Sequence, residues 1–360
     1  MPGTLSFSVE ALKTYVIRFF SAQGVPDIDA RIAADVLVSA DLRGINSHGV
    51  IRLHSYYGDR LRKHLINPTS PIKTIQESQA TLALDGGNGL GQVVAYHAMS
   101  RCIEKADVSG LAVTTVRNSN HFGIAGYYAM MALPEDMIGI SLTNSRPLVT
   151  PTFALEAAIG TNPIAVAVPA GKERPYVLDM ATSIVPLGKI AVHHKTGQPI
   201  PEGWGIDSDG ALTQDPAEII RGGALLPLGG PAKLRGYKGY GLSLLVDILS
   251  GVLSGAAFGR DVGHPDRPEN ADIGHFFAAI KIENFRPITH FKNDMDEYIR
   301  SLKNLPKLPG QDRIYIHGEK EFEQAKIYSV QGVPLMEEVV QSLTTAGEAA
   351  GVPFDLEPIK

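Results

Sequence analysis

Residues 81–94 read TLALDGGNGLGQVV, and the way this stretch closes decides the fold. Residues 81–84 form the short apolar run of a strand and 85–91 a glycine-rich turn. From Gln92 to Ala106, apolar residues recur at helical spacing. Strand, glycines and helix in that order are the setting of a dinucleotide fingerprint, G-x-G-x-x-G. Counted from Gly87 the third glycine falls on Gln92, and counted from Gly89 it falls on Val94. That glycine lets helix and strand pack closely, so the Rossmann reading fails without it. A tight-turn role for these glycines is preferred to phosphate cradling. No G-x-x-x-x-G-K-[ST] loop is present either.

On the N-terminal side, Ser8 can cap a helix carrying Leu12, Val16, Phe19 and Phe20. Asp27 opens a second through Ile32, Val36, Leu37 and Ala40, and Gly44 suits its C-terminus. A third is expected from Gly49, bearing Arg52, Leu53, Tyr56 and Tyr57, before Pro68 and Pro71 mark a connector. On the C-terminal side strands are expected at 111–116, 137–142, 164–168, 176–178, 276–282 and 314–316. Helices are expected at 127–133, 239–254, 294–302 and 336–350. The mixture predicts an α/β chain, mixed α+β, without repeats or low-complexity tracts.

The 360 residues are 44% hydrophobic and 20% charged with a net charge of -5, which advertises no basic face for nucleic acid. No apolar run approaches the roughly 18 to 20 residues of a membrane span. The N-terminus lacks the pattern of a secretory leader, so a cytoplasmic protein is expected. Cys102, alone, can form no internal disulfide and no thiolate zinc site. Neither H-E-x-x-H nor repeated histidine spacing occurs, and no metal centre is expected.

The densest chemistry lies at 41–52, DLRGINSHGVIR. If Gly49 starts a helix, Arg52 falls about one turn beyond His48, on the same side. An imidazole can protonate a carbonyl oxygen as hydride reaches its carbon, and a guanidinium can hold a carboxylate with two parallel bonds. Ser47 is placed to orient the ring. Helix capping by Asn46 or Ser47 beside an incidental His48 is the bland alternative. A second cluster at 118–126, NSNHFGIAG, follows a strand and surrounds His121 with polar residues and glycines. Weaker candidates also follow strands or precede helices: Ser145, Thr161, Asp179 and Lys238. Taken singly, each is explained more simply by structure.

Five runs, ADLRGINSHGVIRL, NSNHFGIAGYYAMM, GTNPIAV, VLDMATS and GYKGYGLSLLVDIL, follow one another over roughly residues 40 to 255. Together they resemble the type-2 malate/L-lactate dehydrogenase family, which includes ureidoglycolate, sulfolactate and diketogulonate relatives and a cyclic-imine carboxylate reductase. The resemblance implies a non-Rossmann nicotinamide fold and a homodimer. It divides the chain into a helical dimerisation lobe (1–75 with 286–360) and a cofactor- and substrate-binding lobe (76–285). It implies that His48 is the proton donor, Ser47 its relay and Arg52 the holder of the substrate carboxylate. Thr161 would lie near the substrate. His121 matches the acid/base of some members, so both histidines stand as catalytic candidates, and His121 also as a cofactor contact. Ser145, Asp179, Met180, Ala181, Lys238, Gly239, His317, Gly318 and Glu319 match cofactor contacts.

The expected activity is NAD- or NADP-dependent interconversion of a small 2-oxo acid and its 2-hydroxy acid, with NAD the first choice. Cyclic-imine reduction is the alternative. That branch has an aspartate where this chain has Lys189, and lysine cannot accept hydrogen bonds from a relay. A hydrolase using Ser47 and His48 is more remote, because no G-x-S-x-G surrounds Ser47. A non-catalytic binding protein is the third class.

Overall fold

The computed structural model describes residues 3–264 and 267–359. Strand β1 (Thr4–Phe7) leads into α1 (Val9–Ser21), whose cap Ser8 accepts the Ala11 N–H at 3.0 Å. Helix α2 (Asp27–Leu42) follows and ends before Gly44, at φ +77°. The regular helix expected from Gly49 is absent. In its place stand two 3-10 turns, Asn46–His48 and Val50–Arg52, a π-helical turn, Leu53–Gly58, and the short α3 (Asp59–Arg62). Asp41 is the cause. Its Oδ2 accepts the Val50 N–H at 2.7 Å, and a Cβ on Gly49 would lie 2.1 Å from that carboxyl group. A side chain that bonds the backbone in this way competes with a helical turn.

Next come β2 (Lys73–Glu77), β3 (Thr81–Asp85), α4 (Gly91–Ser109), β4 (Leu111–Ser119) and α5 (Ala125–Met130). The chain continues through β5 (Met137–Thr143), β6 (Ile164–Val168), β7 (Tyr176–Met180), α6 (Leu187–Thr196) and β8 (Gly205–Ile206). Then follow α7 (Pro216–Ile220), β9 (Ala224–Leu225), α8 (Tyr237–Asp247) and β10 (Ile273–Lys281). Finally come α9 (Ile288–Lys303), α10 (Glu319–Gln331), β11 (Val333–Met336) and α11 (Glu337–Ala350). The helix expected at 239–254 begins at Tyr237 and relaxes into a π turn at Ile248–Val252. Residues 314–316 are not a strand. The nearby His317 carbonyl instead accepts the Val177 N–H at 3.0 Å. The last helix starts at Glu337 because 333–336 pair with β1.

Seven strands form the main sheet in the order β2-β3-β4-β10-β5-β6-β7, and only β3 and β4 pair parallel, across α4. This is one βαβ unit set into an antiparallel sheet, which is why the mixed class holds and the doubly wound one does not. Strands β4 and β5 both run antiparallel to β10, so their C-terminal ends share an edge with its N-terminus. The start of β6 and the end of β7 lie on that edge too. Loops from four strands therefore converge there.

The glycine turn also lies under this edge, and the chain itself fills it. A Cβ on Gly91 would meet the Asn120 and His121 carbonyl oxygens at 2.1 and 2.4 Å, and one on Gly87 would meet Pro71 at 2.7 Å. The tight-turn reading holds: these glycines let the His121 loop lie flat on α4.

Two apolar cores support the edge. One joins the chain ends, with Phe7, Tyr15, Phe19 and Phe20 against Leu335, Leu343 and Val352, and includes Leu53 and Tyr57. The other packs Val94, Ala98, Met99 and Cys102 of α4 beneath Val116, Phe122, Tyr128 and Phe277. Each fully buried side chain of this size contributes on the order of 1.5–3 kcal/mol. Among the described residues no helix is long and apolar enough to cross a membrane, and no three metal-ligating side chains cluster.

Candidate functional site

A cavity of about 250 Å³ opens at the convergent edge and is lined by Ser47, His48, Arg52, His121, Ser145 and Thr161. Six candidates from four separate stretches of sequence thus line one cavity. The Asp41 anchor sets the first three. Ser47 Oγ lies 2.9 Å from His48 Nδ1, and Arg52 Nε donates to the Ser47 carbonyl at 2.7 Å. The guanidinium also lies over the Tyr56 ring, 4.5 Å from its centroid. With Nε bonded, the two terminal nitrogens of Arg52 remain to grip a carboxylate.

His121 stacks on His48, with centroids 5.6 Å apart and planes 22° from parallel. The Tyr57 hydroxyl meets His121 Nδ1 at 2.6 Å, and the Gly123 N–H points to the same nitrogen at 3.3 Å. A backbone N–H can only donate, so Nδ1 is the acceptor and the ring proton sits on Nε2. Burial and then Arg52 push the His48 pKa down to about 4. Burial, His48, Arg52 and His275 push His121 well below the ordinary imidazole value. Both rings are therefore neutral near pH 7 in the ligand-free protein.

Beneath them lies His275, which no motif singles out. It is fully buried in β10, bonded to Thr143 Oγ1 and Ser119 Oγ at 2.8 Å each and stacked 4.7 Å from Phe122. It ties the ends of β4 and β5 together, and burial lowers its pKa to about 3. Tyr57, expected only as a residue of the third helix, reaches the site because a π turn, invisible to a 3.6-residue period, presents it. Arg146 escaped notice by one position, as the residue after Ser145; it lines the cavity as well.

A second cavity is lined by Arg43, Ile45, Gly126, Asp179, His317 and Gly318. Ile45 and Ser47 line different cavities yet stand two residues apart, at most about 7 Å of chain. Asp179 Oδ2 accepts the Gly126 N–H at 2.8 Å. Met180 and Ala181 carry the chain onward from it and line neither cavity. Glu319 is buried, and its carboxylate is taken up by Lys303, Arg313 and the Ile316 N–H. Lys238 is exposed near the start of α8, and Gly239 packs against Leu228; neither lines either cavity.

A family model described as malate/L-lactate dehydrogenase matches residues 7–344. The chain belongs to the malate/L-lactate dehydrogenase family. It is a dehydrogenase of this family and no Rossmann enzyme. It is 49% identical over 344 residues to a malate dehydrogenase of Pyrococcus abyssi, covering 95% of this chain and 94% of that one. It is 43% identical over 310 residues to the L-sulfolactate dehydrogenase of Methanocaldococcus jannaschii, covering 86% and 87%. A more distant relative, 31% identical across 94% of this chain and 95% of its own, is the ureidoglycolate dehydrogenase (NAD(+)) of Escherichia coli K12. Among solved structures, malate dehydrogenase from Pyrococcus horikoshii OT3 superposes with a TM-score of 0.91 at 42% identity, covering 100% of this chain and 98% of that one. Family membership accords with 2-oxo and 2-hydroxy acid oxidoreduction on a nicotinamide cofactor.

Proposed function

We propose that the first cavity interconverts a small 2-oxo acid and its 2-hydroxy acid, with His48 as the proton-transferring group. The observation that carries this is the chain Arg52–Ser47–His48, in which one backbone-anchored turn presents an anion clamp and an imidazole together. Arg52 holds the carboxylate by its terminal nitrogens. His48 Nε2 then meets the 2-oxygen, while Ser47 at Nδ1 can donate or accept as the ring changes charge. A bound anion offsets Arg52 and raises the His48 pKa toward the working range. Thr161 and Ser145, with hydroxyls 3.4 Å apart, line the same cavity.

The second cavity suits the remainder of a dinucleotide. Arg43 and Lys320 supply cations for a pyrophosphate, and Asp179 an acceptor for ribose hydroxyls. His317 and Gly318 close its rim. A nicotinamide bound across the two cavities supplies or takes up the hydride. The carboxylates of Asp179 and Glu321 favour NAD over NADP, because a 2′-phosphate would be repelled there. A nicotinamide pool is available in the cytoplasm, which supports that location. Exposed Leu242, Leu245, Ile248 and Val252 form an apolar row on one helical face, which fits the homodimer. Lys189 is exposed and outside the cavity, which favours the 2-oxo acid over the cyclic imine. Following NADH and NADPH absorbance with a panel of 2-oxo acids and one cyclic imine tests the reading. Turnover of the imine alone would overturn it.

A further inference from the structure

The residue that breaks the dinucleotide fingerprint carries a side chain that the fold alone does not explain. Gln92 is the second residue of α4, where a third glycine counted from Gly87 would stand. It is fully buried, and neither the oxygen nor the nitrogen of its amide makes a well-formed hydrogen bond. Buried amides without partners are rare in folded proteins, so one that persists calls for a reason. Gln92 lines neither cavity.

Its surroundings are the His121 loop and Tyr57. A Cβ on Gly91, the preceding residue, would lie 2.4 Å from the His121 carbonyl oxygen. The Tyr57 hydroxyl, fully buried, is 2.6 Å from His121 Nδ1. Because the Gly123 N–H makes that nitrogen an acceptor, the phenol commits its single proton to the imidazole. The phenol oxygen then has only acceptor capacity left, and no well-formed bond from another described residue fills it. Burial raises the Tyr57 pKa, while Arg52 and a side-chain interaction with the Gln92 amide draw it down. The part of an amide that suits an acceptor is its NH2.

We infer that Gln92 is a positioning residue, whose Nε2 donates to the Tyr57 oxygen and so directs the phenol proton onto His121 Nδ1. The chain Gln92 to Tyr57 to His121 runs in one direction only. With the amide turned round, the phenol would donate to Oε1 and no longer to the imidazole. Its oxygen would then favour a proton on Nδ1, which the Gly123 N–H opposes. Gln92 thus acts through Tyr57 to keep the His121 proton on Nε2.

The test uses nitrogen NMR of the isotope-labelled full-length protein, with the ring signals of His121 assigned against His121→Gln. Near pH 7 the wild type is expected to show a protonated Nε2 and a bare Nδ1. Gln92→Met keeps the length of the side chain without its amide, and should move both signals toward the average of the two tautomers. In the same variant kcat/KM for a 2-oxo acid should fall about two- to fivefold. In a Tyr57→Phe background the substitution should change neither reading, because the group through which Gln92 acts is gone. A proton on Nδ1 in the wild type overturns the inference. So do unmoved ring signals in Gln92→Met, or an equal loss of kcat/KM in both backgrounds, the mark of a merely structural residue. The rate readings rest on the 2-oxo acid reading above and the ring readings do not. A protein that reduces no 2-oxo acid therefore fails that reading, and the ring signals still decide this one. Should Gln92→Met not fold, Gln92→Asn withdraws the amide by one methylene, and unmoved signals there overturn the inference equally.

Discussion

His48 and His121 face each other across one cavity, but different physics holds them. His48 rides on a 3-10 turn fixed from behind by Asp41, and its Nδ1 meets a serine hydroxyl that can give or take a proton. His121 sits on the loop after β4, laid on Gly91, and its Nδ1 receives a backbone N–H that can only donate. The first ring can change protonation without losing its partner. The second loses the Gly123 contact if it gains a proton there. Two stacked imidazoles of the same cavity are thus suited, on the proposed reading, to be a proton-transferring group and a fixed neutral donor, and the difference lies in what bonds Nδ1.

The largest expected effect tests that division directly. His48→Gln should cut turnover by about a hundredfold or more while cofactor affinity, measured by fluorescence titration, barely moves. His121→Gln should disturb binding together with rate. Near-normal turnover in His48→Gln beside a dead, fully binding His121→Gln would reverse the roles.

Next in size is Arg52→Ala, which removes the proposed anion clamp beside His48. KM for the acid should rise about tenfold or more, the loss expected for a charge-assisted pair. Unchanged affinity for both oxo and hydroxy acid would take Arg52 out of the site.

Tyr57→Phe probes the His121 side alone. Losing a neutral hydrogen bond should lower kcat/KM about three- to tenfold, and the NMR signal of the His121 ring should shift. A kcat/KM and ring signal like the wild type would mean that Gly123 suffices to hold the ring.

The smallest effect concerns the anchor. Burial raises the Asp41 carboxyl from its ordinary value of 3.8 to about 8, against the pull of the Val50 N–H. A folded pKa above the unfolded one contributes stability that is complete below the unfolded value and is lost as pH rises toward 8. Between pH 6.5 and 8 the melting temperature should therefore fall by a few degrees. Asp41→Asn keeps an acceptor for Val50 and should flatten that slope. An equally steep fall in the variant would assign it elsewhere.

Much of this arrangement was legible beforehand, for identifiable reasons. Ser8 and the α1 stripe, the 164–168 strand and the broken glycine fingerprint follow from local rules, and the structure keeps all three. The runs around His48 and His121 stood out because polar residues and glycines cluster there at the ends of elements. His275 did not, since a histidine inside an apolar strand looks like one more core position until its two hydroxyl partners arrive from β4 and β5. The short strands β1 and β11 define each other across the whole chain and carry no local pattern. The strand expected at 314–316 was an apolar alternation that found no sheet edge.

The π turn at Leu53–Gly58 carries one more residue per closed ring than an α-helix, so neighbouring side chains diverge less. Tyr56 and Tyr57 consequently both reach His121, with ring centroids 5.2 and 6.0 Å away, although they are adjacent in sequence. Chain length, as much as residue type, is thus information in this segment. Exchanging residues one at a time would never reveal it, because every substitution preserves the count. Deleting a single residue would rewind the turn to the α-helical pitch and swing one tyrosine away from the imidazole with its side-chain chemistry untouched.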